Sequence, residues 1–161
     1  MFDNKNSNNY KAIAASNGIK FTETAVIFLA FVIALTHILA MYFGWYFDTR
    51  FDWIDIPLHF MGGIFAAMFS WWFGHRFTRF NIFHDDFFKN ILILISVAAT
   101  IGVLWEFFEF SFDYFVVSQA RFNWLNLAQP SKADTMADLF FDILGGLTAG
   151  IILKIGSKRA K

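Results

Sequence analysis

Three short stretches of this chain carry side chains able to do chemistry. DIPLH holds Asp55 and His59, WEFFEFSFD holds Glu106, Glu109 and Asp113, and DTMADLFFD holds Asp134, Asp138 and Asp142. Within each stretch the ionisable residues recur at three or four positions, so a helix would present them on one stripe. Seven carboxylates with one histidine form an oxygen-rich ligand mixture, the kind that binds hard or borderline divalent cations, and two such ions could be accommodated. The histidine tilts the choice toward Mn, Zn or Fe over pure Ca or Mg, without removing Mg. There is no cysteine, which excludes disulfides, thiolate ligands, Fe–S clusters and cysteine nucleophiles together.

The elements that position these residues must be membrane helices. Of 161 residues 57% are hydrophobic and 24 are Phe, more apolar surface than a soluble domain of this size hides in one core. Four apolar segments, at about 22–47, 54–74, 88–117 and 134–155, are each long enough to cross roughly 30 Å of hydrocarbon. The expected fold is all-α, a polytopic integral membrane protein of four transmembrane helices. The third segment exceeds the need of a span, so its Phe- and acid-rich end should project into the interface or tilt. Residues 1–20 are polar and Asn-rich and read as a flexible cytoplasmic tail, 21–156 as the transmembrane domain, and 157–161 as a basic cytoplasmic tail. The first apolar stretch is too long for the core of a cleaved signal and reads as a retained signal anchor. Zero net charge gives no case for nucleic acid.

Charge distribution sets the orientation. Lys5, Lys11, Lys20, Arg76, Arg79, Lys89, Lys154, Lys158, Arg159 and Lys161 fall on one side of four spans; Arg50, Arg121 and Lys132 fall on the other. The positive-inside rule then puts both termini in the cytoplasm. Trp45, Trp53 and Trp124 lie near the outer interface and Trp71 and Trp72 near the inner one, as aromatic belts do.

In this topology helix 2 starts, helix 3 ends and helix 4 starts on the outer side, so the three acidic stripes converge there. Counting inward at 1.5 Å per residue, Asp55, Asp113 and Asp134 form the mouth, His59, Glu109 and Asp138 lie roughly 6–9 Å deeper, and Glu106 and Asp142 about 12–14 Å down. His37, beside Thr36, reaches the depth of that last pair. The inner stretches GGIFAAMFSWW, ILILISVAAT and LTAGIIL of helices 2, 3 and 4 carry no ionisable group, so the funnel has an apolar floor. A charge deep in the bilayer costs about 2.5–3.5 kcal/mol on insertion scales. Protonation of some acids or bound divalent cations would relieve it, and the ligand mixture favours cations.

Simpler roles compete at the edges. Asp134, at a helix start, reads equally as an N-cap or a ligand. Asp55 and Asp113 read also as solvated interface residues, His37 as a hydrogen-bonded bundle residue, and His75 and His84 as surface residues of the basic loop. Gly62, Gly63, Gly145, Gly146 and Gly150 suit close helix packing, with Gly146 and Gly150 forming a GxxxG.

The order D-x-x-x-H at the start of one span, W-E-x-x-E at the end of the next and D-T-x-x-D at the start of the last resembles the YjdF-like family of bacterial inner-membrane proteins. It is more distantly similar to VanZ-like proteins. The resemblance covers about 55–150 and implies Asp55, His59, Glu106, Glu109, Asp134 and Asp138 as family-typical positions in a multi-pass protein of the bacterial inner (plasma) membrane. It implies no activity.

Three functions fit the pattern. The first is a metal-dependent enzyme on a lipid or lipid-linked substrate, with His59 or Glu106 as general acid or base and metal ligands drawn from Asp55, His59, Glu106, Glu109, Asp113, Asp134, Asp138 and Asp142. The second is a cation or proton transporter, for which the dry inner half is unfavourable unless a homo-oligomer supplies the path. The third is a non-catalytic binding or envelope-resistance protein.

Overall fold

A computed structural model describes residues 4–45, 49–77, 79, 82–84, 86–119 and 127–159. The described residues form helices and turns, with no strand. Helix α1 is Asn4–Tyr42, α2 is Asp55–Arg76, α3 is Phe87–Phe112 and α4 is Lys132–Arg159. Four stretches are long and apolar enough to cross a membrane: Ile19–Tyr42, Asp55–Arg76, Phe87–Val117 and Lys132–Gly156. The chain is therefore an all-helical, multi-pass membrane protein.

Helix α1 differs from the expectation at both ends. Residues 4–20, whose composition suggested a flexible tail, have helical backbone continuous with the apolar span. No Pro interrupts them and the run KAIAA favours a helix. At the other end the helix stops at Tyr42, short of the expected 47, because Gly44 turns the chain with φ 71. That left-handed conformation is open to glycine at little cost. A 3₁₀ turn, Thr49–Ile54, then leads into α2.

The remaining ends are fixed by specific bonds. Asp86 caps α3, its Oδ1 accepting from Phe88 N at 2.8 Å and Lys89 N at 3.4 Å. Asn90 ties the preceding loop by donating to His84 O at 2.6 Å and accepting from His84 N at 2.8 Å. His75, expected at the surface, donates through Nδ1 to Trp71 O at 2.9 Å and stacks against Trp71 and Phe83. The far end of α3 continues as a π-helical turn, Asp113–Val117, which accounts for the extra length of the third apolar segment. Before α4, Ser131 Oγ accepts from Asp134 N at 3.2 Å. Ser131 is thus the cap, as S-x-x-D spells out, and Asp134 is not.

Helices α2, α3 and α4 pack on one another, while α1 lies chiefly along α2. Missing side chains make the close approach possible. A Cβ on Gly63 would collide with Asp142 O, and one on Gly145 with Phe60 O. Gly146 and Gly150 both face α3: a Cβ on the first would stand 2.7 Å from Ala98 Cβ, on the second 3.0 Å from Ile91 Cγ1. The GxxxG of α4 therefore seats it against α3.

Val26, Ala67, Met68, Leu94 and Ala149 make an apolar core, with Ile64, Trp71 and Leu153 packed against it. This is the floor that the sequence implied. Large apolar side chains such as Phe28, Phe31, Phe107, Phe110 and Phe115 point outward. In water such a surface would be a liability; in hydrocarbon it is the normal exterior of a span.

Candidate metal centre

The acidic stripes meet where the start of α2, the end of α3 and the start of α4 come together. On α3 the three-residue step from Glu106 to Glu109 keeps both inside while Phe107, Phe108 and Phe110 face out. On α4 the four-residue steps do the same for Asp138 and Asp142, and on α2 for Asp55 and His59. His59, Glu106, Glu109, Asp138 and Asp142 are between 2% (Asp138) and 8% (Glu109) exposed. Five ionisable side chains so deeply placed must be satisfied by one another or by a ligand.

Only part of that demand is met within the protein. His59 Nδ1 lies 3.1 Å from Asp142 Oδ2. Trp105 Nε1 donates to Glu109 Oε1 at 2.7 Å. The Gln129 amide donates to Glu106 Oε2 and, at 3.0 Å, to the Glu106 carbonyl. Four buried atoms of the cluster have no hydrogen-bond partner: His59 Nε2, Glu106 Oε1, Glu109 Oε2 and Asp138 Oδ2. His59 Nε2 is 3.6 Å from Asp55 Oδ1 and 3.9 Å from Glu106 Oε1, too long to bond and about the separation of two ligands on one ion. An unsatisfied buried polar group costs about 1–3 kcal/mol, so four in one cluster of side chains need an explanation.

Divalent cations fit the donors. Three sets each offer ligand atoms within 4.8 Å of one another: Asp55, His59 and Glu109; His59, Glu106 and Asp138; and Asp55, Asp134 and Asp138. With Asp142 ionised, its bond to Nδ1 selects the tautomer that leaves Nε2 its lone pair, the arrangement in which a carboxylate orients a ligating histidine.

Two residues expected as ligands, Asp142 and Asp113, fall outside all three sets. Asp142 Oδ2 is held 3.1 Å from His59 Nδ1, seated where a Cβ on Gly102 of α3 would collide with its carboxylate. Asp113 belongs to none of the three sets; its oxygens accept from Ala128 N at 2.8 Å and Gln129 N at 2.9 Å, pinning the segment before α4. His37 is also outside the sets, its ring 6.0 Å from that of Trp105. Trp124 and Arg121 lie outside the described residues.

Gln129 and Trp105 were missed as site residues. Trp105 had a signal, since it stands four residues before Glu109 on the same helical face. Gln129 had none: it precedes α4 and reaches Glu106 only because Asp113 holds its backbone.

The family described as "Predicted membrane protein (DUF2238)" matches residues 10–159, and the chain belongs to it. The motif resemblance to a bacterial membrane-protein family is borne out at that level. An "Uncharacterized protein" of Thermotoga maritima is 31% identical over 108 residues, 67% of this chain and 50% of the relative. The chain thus spans about half the length of that relative. No solved structure matches.

Proposed function

We propose that this chain is a metal-dependent protein of the bacterial inner membrane, with both termini cytoplasmic and a divalent-cation site open to the outer side. It acts there on a lipid or lipid-linked headgroup. The carrying observation is that His59, Glu106 and Asp138, from three helices, offer ligand atoms within 4.8 Å of one another, and that each carries a buried side-chain atom without a hydrogen-bond partner. Orientation is supported by the charge split, with Arg76, Arg79, Lys89 and Lys154 at the opposite end from the cluster.

His59, Glu106 and Asp138 hold the cation, and Asp142 keeps the imidazole turned toward it. Three protein ligands leave coordination positions open, so the bound ion would polarise a substrate oxygen or lower the pKa of water. Glu106 is fixed on one oxygen by Gln129, leaving the other to a ligand or a proton. A lipid substrate suits that position: with the spans set in a bilayer the funnel mouth would lie near headgroup depth, and the outer helix faces are apolar. A transporter is disfavoured by the apolar core of Val26, Ala67, Met68, Leu94 and Ala149 beneath the site.

Metal analysis of protein purified in mild detergent tests the site. Stoichiometric divalent metal is expected, lost in a Glu106→Gln, Asp138→Asn double variant that remains folded. Wild-type protein that takes up no metal when supplied with Mn²⁺ or Zn²⁺ overturns the reading.

A further inference from the structure

The ligand sets overlap in a way that limits how they fill. His59 appears in two of the three, yet one ring nitrogen is engaged by Asp142, so it has a single nitrogen to give. The set with Glu109 and the set with Glu106 therefore exclude each other as simultaneous sites. The third set, Asp55, Asp134 and Asp138, makes no demand on His59 and can be filled beside either. Of the two histidine sets, that with Glu106 and Asp138 is buried at all three residues, and each of the three carries a side-chain atom without a hydrogen-bond partner.

We infer that the centre holds two divalent cations of unlike coordination, an inner one on His59, Glu106 and Asp138 and an outer one on Asp55, Asp134 and Asp138, bridged by the Asp138 carboxylate. This rests on the metal-site reading and adds its number and asymmetry. Asp138 is 2% exposed and its Oδ2 has no hydrogen-bond partner, so the bridging carboxylate is the most enclosed of the cluster. Its two oxygens can serve ions about 3.5–4 Å apart, the spacing of two-metal sites. The inner set mixes nitrogen with oxygen and suits Mn, Fe or Zn; the outer is all carboxylate and suits Mg, Ca or Mn. Because the outer set lies at the mouth, its ion is the more exchangeable.

The experiment is metal counting with Mn²⁺, which suits both sets, on full-length protein in detergent, for wild type, Asp134→Asn and His59→Gln. Two ions per chain are expected in wild type and one in each variant. Asp134→Asn alters the first turn of α4 and leaves its Ser131 cap in place, so it keeps the test alive should His59→Gln not fold. Paramagnetic resonance should show an exchange-coupled pair in wild type and an isolated ion in Asp134→Asn. One ion in both wild type and Asp134→Asn overturns the pair and leaves the metal-site reading standing. Two ions in Asp134→Asn overturns the outer assignment. No ion in wild type removes the metal-site reading and the pair with it.

Discussion

His59 on α2 and Asp142 on α4 meet through Nδ1 and Oδ2 at 3.1 Å, both buried, with Asp142 one turn beyond Asp138 along its helix. The contact joins two helices and fixes which imidazole nitrogen faces Glu106 and Asp138. Metal-ligating histidines are commonly held this way, and loss of the orienting carboxylate lowers affinity about 10–100-fold. Asp142→Asn should weaken metal binding by that order without abolishing it, because no ligand is removed. Titration of the apo-protein with Zn²⁺ or Mn²⁺ reads this; unchanged affinity would make Asp142 a packing residue only.

The seat of Asp142 offers a steric test. Gly102 stands where a Cβ would overlap the Asp142 carboxylate, whereas Gly156 has nothing within 4 Å. Gly102→Ala should cost about 1–3 kcal/mol through overpacking and disturb metal binding with it. Gly156→Ala, in the same scan, should be neutral or gain up to about 1 kcal/mol from helix propensity. Unfolding midpoints in detergent compare the two. Equal behaviour would mean that α3 and α4 do not approach as closely as described.

Most of the fold, and the convergence of the acidic stripes, follows from periodicity. Apolar runs and charge asymmetry located four spans, and spacing in threes and fours put the acids inside, because helix geometry is local. What spacing could not resolve was each acid's partner. Asp142 and Asp138 sit on one stripe, yet only Asp142 hydrogen-bonds His59, in a seat that a glycine on a third helix leaves open. Asp113 continues the stripe of Glu106 and Glu109, but its oxygens are taken up by the backbone of Ala128 and Gln129 in the segment before α4. Both outcomes depend on contacts distant in sequence. The Ser131 cap, by contrast, was readable from S-K-A-D and was overlooked in favour of Asp134.

Asp113 should therefore behave as a loop anchor. Asp113→Ala removes the acceptor for Ala128 N and Gln129 N, which costs about 1–3 kcal/mol if those groups stay buried. Hydrogen exchange over 127–131 should speed up while metal stoichiometry is unchanged. A loss of bound metal in folded Asp113→Ala protein that Gln129→Ala does not share would return Asp113 to the ligand list.

Orientation can be read from single cysteines, because the chain has none of its own. Ser118 follows the π-helical turn at the end of the bundle that holds the cluster, and Ser157 lies in the last turns of α4 at the opposite end. With the basic segments inside, a membrane-impermeant thiol reagent added to intact spheroplasts should label Ser118→Cys and spare Ser157→Cys until the membrane is opened. The reverse pattern would turn the funnel toward the cytoplasm. Its substrate would then have to come from the inner leaflet, while the metal-ligand geometry would stand unchanged.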